Sequence, residues 1–373
     1  PCPAMTTSTT ESTTERQNPA PRQTGLDEAR GLAVAGMALV NFDLALSDGG
    51  GPAWLGAAIE SVQGRASALF VVLAGIGLVL LGRSRGPRAR GPVARRGLVL
   101  FAAGLLLLPL WPADILHFYG VWFLLAAPLA DASGQGRSAP AHAAAAAGLV
   151  LLFPALLFLG VDYERHWNFE ALEYAGLFTA DGFVRHLFFN GFHPTVPWFA
   201  FALVGMALAP RILDPGRAVL PLFVASAAVA ALTELAAPRL VAAAGPELGP
   251  LVDTSSIPPG PPYMVAAGAT AVAVLALSVA ACRAPARWAV TRVVREVLGA
   301  AGRCALSLYV LHVLTGIVPV FVLAGSEEPP RIERAWVAAW WAAWCAIAFG
   351  RATWLARRDR SGPLEALFRR ITR

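Results

Sequence analysis

Long apolar blocks recur along most of the chain, and short segments rich in proline, glycine and arginine separate them. A helix that crosses a lipid bilayer needs about 20 predominantly apolar residues. Ten blocks approach this length, at residues 29–47, 66–82, 97–111, 115–130, 142–161, 194–210, 218–237, 263–282, 304–324 and 335–356. The pattern predicts an all-α fold, a polytopic integral membrane helix bundle of about ten transmembrane helices. The third and fourth blocks are short and share the segment 109–114, so they also fit one broken helix pair.

The two ends of the chain differ from this apolar middle. Residues 1–24 are rich in Ser, Thr, Glu and Pro and lack the apolar stretch of a signal peptide, so we expect a disordered cytoplasmic tail. Residues 25–356 make up the predicted transmembrane helical domain, and residues 357–373 a basic cytoplasmic C-terminal tail.

The composition favours a membrane protein over several other classes. Hydrophobic residues make up 56% of the 373 residues, charged residues only 14%, and the mean hydropathy is +0.57. Soluble domains carry about 25% charged residues, so a soluble enzyme, a disordered chain and a nucleic-acid-binding domain all fit poorly. All 30 basic residues are arginine, which rules out a Schiff-base lysine. The four scattered cysteines form no CxxC pair, so we expect neither a disulfide framework nor a zinc or other metal site.

The arginines also predict an orientation. Short loops rich in arginine stay on the cytoplasmic side of a membrane. If the N-terminus lies in the cytoplasm, ten crossings place 24 of the 30 arginines on that side. The others fall outside, namely Arg65, Arg165, Arg185, Arg239, Arg331 and Arg334. We therefore expect both chain ends in the cytoplasm, membrane lipids as partners, and a multi-pass protein of the cell inner (plasma) membrane.

Ionisable residues beside membrane helices are costly and therefore point to function. At the predicted outer face, Asp114 and His117 are three residues apart and would share one face of a helical turn. A carboxylate that holds an imidazole fixes its tautomer, as a general base requires. Asp114, His117 and His193 are therefore candidate catalytic residues. A structural role fits too, with Asp114 and His117 satisfying each other and His193 capping a broken helix.

Five more residues are candidate substrate ligands: Arg65, Asn41, Tyr119, Asn190 and His312. The Arg65 guanidinium could hold a carboxylate, a phosphate or a sugar hydroxyl, and the Asn190 amide could donate to a developing oxyanion. Plainer roles stay open for these residues. Asn190-Gly191 also reads as a turn, and His312, alone on an apolar helix, also fits as a packing residue.

Six stretches carry a resemblance to a known group: GLDEARGLAVAGMALVNF, GRASALFVVLAGIGLVLL, ADILHFYG, FFNGFHPTVPWFAFALVGMAL, GRCALSLYVLH and RDRSGPLEALFRRIT. In this order they resemble the transmembrane acyltransferase superfamily. That group includes heparan-α-glucosaminide N-acetyltransferase-like proteins and the bacterial YeiB-type family, a domain of unknown function. The resemblance extends from about residue 25 to the C-terminus.

The resemblance implies an enzyme that moves an acetyl group from cytosolic acetyl-CoA to a sugar amine across the membrane, with a histidine in the outer loop after the first helix. Here that loop reads SDGGGPAWLGAAIESVQG and contains no histidine. Either His117 or His193 takes over as base, or this chain does not acetylate sugars. The resemblance also implies a core cavity lined by the motif residues, with Asp27 and Arg30 as cofactor ligands. A structural ion pair between Asp27 and Arg30 fits the sequence as well.

Three functions therefore compete. The first is an acyltransferase with cytoplasmic acyl-CoA (acetyl-CoA) as co-substrate and an envelope sugar or glycan as acceptor. Its CoA phosphates could meet arginines of the segment 83–96, unless those arginines serve topology alone. The second is a transporter or permease for a small solute, which ten helices and a proline-broken sixth helix also fit. The third is a family member without catalytic activity. A homodimer is a candidate assembly, and no nucleic acid partner is expected.

Overall fold

The computed structural model describes residues 23–130, 138–168, 173–324 and 331–372. The structure is 79% helical. The α-helices of the described residues are α1 (Thr24–Leu46), α2 (Ala53–Val62), α3 (Arg65–Arg85), α4 (Arg90–Leu107), α5 (Leu116–Ala126), α6 (Ala139–Phe158), α7 (Ala180–Arg185), α8 (Thr195–Ile212), α9 (Leu220–Val252), α10 (Pro261–Arg283), α11 (Ala289–Arg303), α12 (Ala305–His312), α13 (Val318–Ala324), α14 (Arg334–Arg357) and α15 (Pro363–Ile371).

Short elements of other kinds interrupt the helices. β1 (Trp167–Asn168) and β2 (Glu173–Tyr174) form an antiparallel pair in which Trp167 lies opposite Tyr174. π-helical turns occur at His186–Asn190 and Val313–Ile317. π-helical turns are rare overall but often lie at functional sites. Here the first turn begins at His186, and the second directly follows His312.

Seven helical segments in the described part of the chain are long and apolar enough to cross a membrane. They are Thr24–Leu46, Ala53–Leu107, Ala139–Phe158, Thr195–Ile212, Leu220–Val252, Pro261–Arg283 and Ala305–Leu323. The second contains α2, α3 and α4 and so covers two of the ten predicted blocks, while Leu116–Leu129 is apolar but shorter. A multi-span helical membrane protein is thus confirmed, whereas ten crossings and the orientation of the chain ends stay predictions.

The predicted tails are only partly visible. Residues 1–22 of the expected N-terminal tail lie outside the described residues. The C-terminal segment contains α15, which packs back onto the bundle. There the Glu365 carboxylate accepts the backbone N–H of Ser307 at 3.0 Å. The basic C-terminal segment is thus an integral part of the helical assembly as far as residue 372.

The arginine-rich segments meet at one end of the bundle. Arg96 of α4, Arg303 of α11 and Arg369 of α15 border a single cavity. Arg357, at the end of α14, binds Glu296 of α11 at 2.7 Å. We call this the arginine-rich end. It is the end that the sequence predicts to face the cytoplasm.

Candidate active site

A buried carboxylate–imidazole pair lies at the centre of the candidate site. Asp114 lies in the turn between α4 and α5, and its Oδ2 is 2.8 Å from His117 Nδ1. The same oxygen accepts the backbone N–H of His117 at 3.2 Å, and both side chains are fully shielded from solvent. The positive N-terminal end of α5 also favours a carboxylate at this position. The contact predicted from the three-residue spacing is therefore present.

Tyr309 of α12, which is not among the residues predicted from the sequence, holds this pair in place. Its hydroxyl donates to Asp114 Oδ1 at 3.2 Å and accepts the backbone N–H of Ile115 at 3.1 Å. Both carboxylate oxygens of Asp114 are thus hydrogen-bonded, which fixes the carboxylate in position and orientation. The available signal was the place of Tyr309 in the stretch GRCALSLYVLH, three residues before His312.

Two glycines bring the Asp114 turn close to α4. A Cβ on Gly104 would lie 2.1 Å from the His117 backbone nitrogen and 2.8 Å from Asp114 Oδ2. A Cβ on Gly120 would lie 2.6 Å from the Phe101 backbone nitrogen. Small residues commonly allow membrane helices to approach this closely. Any side chain at either position would push α4 and α5 apart and shift His117.

Two further histidines surround His117. The His186 ring stacks on the His117 ring, with centroids 5.3 Å apart and an interplanar angle of 18°, and Phe118 lies between His186 and His193 in contact with both. Burial lowers the pKa of His186 and of His193 to about 3, so both rings are neutral at neutral pH. The described part of the chain nevertheless contains no group of three or more His, Cys, Asp or Glu that could hold a metal ion.

One nitrogen on each of the three rings is buried without a partner among the described residues: His117 Nε2, His186 Nδ1 and His193 Nδ1. Buried polar atoms almost always have a hydrogen-bond partner. The unpaired nitrogens therefore mark positions for water or a polar substrate. His186 was missed because no residue close to it in sequence suggests a partner.

Two cavities border this centre. The first, which we call the aromatic cavity, has a volume of about 610 Å³, and its lining includes Trp167, Tyr174 and His186. The second, the arginine cavity, has a volume of about 340 Å³ and lies at the arginine-rich end, with Leu116 and Tyr119 in its wall. His186 touches His117 from the first cavity, and Leu116 directly precedes His117 in the wall of the second. His117 itself lines neither cavity; it adjoins the first through His186 and the second through Leu116.

Of the two predicted cofactor ligands, Arg30 lines the arginine cavity, whereas Asp27 only pairs with Arg30. Arg30 Nη1 is 2.9 Å from Oδ1 of the buried Asp27. The ion pair expected as the structural alternative is thus present, and the same arginine faces the cavity. Deeper in the wall, the Tyr119 hydroxyl is buried without a partner among the described residues.

Asn190 anchors the loop that covers the aromatic cavity. Its amide nitrogen donates to the carbonyl oxygens of Tyr163 and Arg165 at 3.0 and 2.8 Å. Its side-chain oxygen accepts the Tyr174 hydroxyl at 2.8 Å, and its backbone carbonyl accepts the Trp167 indole N–H. Both amide hydrogens are thus in use in this conformation. A role for Asn190 as oxyanion donor stays a prediction.

Arg65 lies at a separate site. Its guanidinium binds the Glu234 carboxylate, which also accepts the Thr254 hydroxyl at 2.7 Å. These residues line a polar cavity of about 750 Å³ that shares no lining residue with the aromatic or the arginine cavity. The ion pair with Glu234 thus holds Arg65 in a cavity separate from Asp114 and His117, and its place at the outer face stays a prediction. Its role in substrate binding stays a prediction.

Asn41 and His312 contact the centre through the backbone of Tyr309. His312 Nδ1 bonds to the Tyr309 carbonyl oxygen, so this nitrogen must carry the hydrogen. His312 Nε2 then accepts the Asn41 amide N–H at 2.8 Å. Neither residue lines the aromatic or the arginine cavity. The geometry matches a positioning role for the two residues, through Tyr309.

Two models of known families match the chain. The family model described as "Heparan-alpha-glucosaminide N-acetyltransferase, catalytic" matches residues 22–235, which is more than half of the chain. The chain belongs to this family. A second model, described as "Protein of unknown function (DUF418)", matches residues 217–373. The predicted resemblance is therefore confirmed, with Asp114 and His117 in the first match and Tyr309 in the second. Searches of curated proteins and of solved structures gave no match.

Proposed function

We propose that this protein is an integral membrane acyltransferase. It would move an acyl group, such as acetyl, from acyl-CoA in the arginine cavity to a hydroxyl or amine of an envelope sugar in the aromatic cavity. One observation carries this proposal. His117 Nδ1 faces a buried carboxylate, while its Nε2 is buried without a partner among the described residues. Family membership supports acyl transfer as the chemistry.

The arginine cavity suits an acyl-CoA. One carboxylate, Glu365, lies among four arginines that line it, namely Arg30, Arg96, Arg303 and Arg369. Guanidinium groups bind phosphates through charge-assisted, often bidentate, hydrogen bonds. The deeper wall is largely apolar, and a volume of about 340 Å³ fits the narrow, thioester-bearing arm of such a molecule. Acyl-CoA supplies an activated acyl thioester, which these side chains would bind and orient.

The aromatic cavity suits a sugar. Trp167 and Tyr174 offer flat apolar ring faces, and Glu173 and Asn168 add polar groups. Mostly apolar walls with a few polar groups are typical of sites for small organic ligands. A carboxylate can accept from acceptor hydroxyls or pair with an amine. His186 lies between this cavity and His117, in a π-helical turn of the kind that is frequent at functional sites.

His117 would act as the general base. Because Asp114 holds the Nδ1 hydrogen, the free lone pair is on Nε2, which would take the proton of the acceptor as it attacks the acyl carbonyl carbon. Asp114 then stabilises the imidazolium, while Tyr309 keeps Asp114 in place. The unpaired Tyr119 hydroxyl can donate to the oxygen on which negative charge develops. His117 finally returns the proton to the sulfur of the departing thiolate.

The test is acyl transfer by the purified protein in liposomes, with radiolabelled acetyl-CoA on one side and hexosamines or lipid-linked glycans on the other. We expect His117→Ala and His117→Gln to lower the transfer rate at least about a hundredfold. His142→Gln is the matched control, because His142 lies on α6 and lines neither cavity. Failure of the label to reach any acceptor, or full activity of both His117 variants, would overturn the proposal. Solute flux without acyl transfer would favour the transporter.

A further inference from the structure

A further basic cavity lies at the arginine-rich end, away from the candidate active site. It is a groove of about 540 Å³ between α11 and α14, lined by Val297, Gly350, Thr353, Trp354, Arg357 and Arg358. It shares no lining residue with the arginine cavity or the aromatic cavity. The acyl-transfer chemistry proposed above does not use it.

Two guanidinium groups lie over one indole at this groove. The Cζ atoms of Arg351 and Arg358 are 4.0 and 3.8 Å from the centroid of the Trp354 ring. Cation–π contacts of this kind hold long side chains in a defined position. Arg357 is already paired with Glu296 at 2.7 Å. In the described part of the chain, neither Arg351 nor Arg358 has a carboxylate within ion-pair distance, so two positioned positive charges lack a protein counter-ion.

An apolar stripe leads along α14 to these charges. Trp336, Trp340, Ile347 and Trp354 follow one another at intervals of four or seven residues, so they share one face of the helix. All four are exposed; Trp336 is 68% and Ile347 77% exposed. The sequence predicts that residues 335–356 cross the membrane, and in that case this stripe faces the hydrocarbon of the bilayer. The stripe ends at Trp354, beside the guanidinium groups of Arg351 and Arg358.

We propose that the groove beside Trp354 binds one anionic phospholipid. The phosphate would lie against Arg351 and Arg358, and an acyl chain would follow the stripe of α14 into the bilayer. Basic pockets between membrane helices on the cytoplasmic side are suited to acidic lipid headgroups. A free phosphate would use the two arginines but not the stripe. A zwitterionic lipid would bring its own positive charge close to both guanidinium groups.

The experiment measures lipids that stay bound to the full-length protein by native mass spectrometry. The protein is released from nanodiscs that contain phosphatidylglycerol and phosphatidylcholine with the same acyl chains. We expect one phosphatidylglycerol to be retained in preference to phosphatidylcholine. The double variant Arg351→Gln/Arg358→Gln should weaken this retention about thirtyfold, because each arginine near a membrane surface contributes about fivefold. Trp354→Leu, which leaves both charges but removes their support, should weaken it about threefold.

The matched control is Arg287→Gln/Arg370→Gln, which removes the same charge from exposed residues outside the groove. It should retain phosphatidylglycerol like the unmodified protein. Equal loss in both double variants would mean diffuse electrostatic attraction and would overturn the site. Inorganic phosphate that displaces the lipid, and protects the protein from thermal unfolding equally well, would overturn the assignment to a lipid. Unchanged thermal unfolding of all variants in phosphatidylcholine alone excludes a folding defect as the cause.

Discussion

Replacing Tyr309 by Phe removes one hydroxyl from the centre of the bundle. That hydroxyl donates to Asp114 at 3.2 Å and accepts the Ile115 N–H at 3.1 Å, and all three residues are buried. A buried polar group left without its partner costs about 1–3 kcal/mol. Interhelical hydrogen bonds in membrane proteins average only about 0.6 kcal/mol, because the unfolded chain in the membrane finds other partners. With two groups affected, one of them a carboxylate, we expect a loss of about 2 kcal/mol in the free energy of unfolding.

The assay is unfolding in mild detergent by titration with a denaturing detergent, alongside acyl transfer in liposomes. Tyr263→Phe is a matched control, because Tyr263 is equally buried and its hydroxyl has no partner among the described residues. It should retain the stability of the unmodified protein. We also expect Tyr309→Phe to slow acyl transfer about tenfold to a hundredfold, since Asp114 and His117 lose their fixed position. If the two Phe variants are equally stable and equally active, the positioning role of Tyr309 is wrong.

Three further predictions test the surroundings of the centre. Gly104→Ala should lower the free energy of unfolding by about 1–3 kcal/mol, because the new methyl group overlaps neighbouring backbone. The control Gly148→Ala, whose methyl group meets no atom within 4 Å, should leave the free energy of unfolding unchanged in the same denaturing-detergent titration. Asn190→Ala should speed protease cleavage of the loop that it anchors and raise the KM for the acceptor, with the KM for acyl-CoA unchanged. A hydrogen bond from His166 lowers the pKa of the Asp181 carboxyl below its usual 3.8. This hydrogen bond therefore stabilises the fold fully above pH 3.8, and the stabilisation is lost as the pH falls through the lowered pKa of Asp181. Hydrogen-exchange protection around His166 and Asp181 should then decrease in acid in the unmodified protein, but not in Asp181→Asn.

The helices could be predicted from the sequence because each apolar block is long and continuous. The number of membrane crossings, in contrast, could not be derived from the lengths of the apolar blocks. Leu116–Leu129 is apolar but short, and α2 to α4 follow one another without a long break, so Ala53–Leu107 reads as one helical stretch. Composition alone does not fix where such a stretch turns. That depends on close contacts such as the one at Gly104, which no hydropathy pattern reports.

The site was predictable where its contacts are local in sequence. Asp114 and His117 were found because three residues separate them, and the structure places them in contact. Tyr309 lies 195 residues from Asp114, and no spacing rule connects the two. His186 reaches His117 only through the packing of the π-helical turn against α5. Arg65 lies in a separate cavity because it pairs with Glu234, which is 169 residues away and which no spacing rule connects to it.

The missing loop histidine has a physical interpretation in this arrangement. The loop after α1 contains α2, and its residues Glu60 and Ser61 line the polar cavity around Arg65 rather than the centre at His117. The histidine–carboxylate–tyrosine contacts at the centre do not involve that loop. His117 belongs to α5, Asp114 to the turn before α5, and Tyr309 to α12. Burial also keeps water from an activated acyl group, which limits hydrolysis. Under the proposed function, His117 would supply the base that the resemblance assigns to a loop histidine in the related enzymes, and activity that depends on His117 would support this substitution.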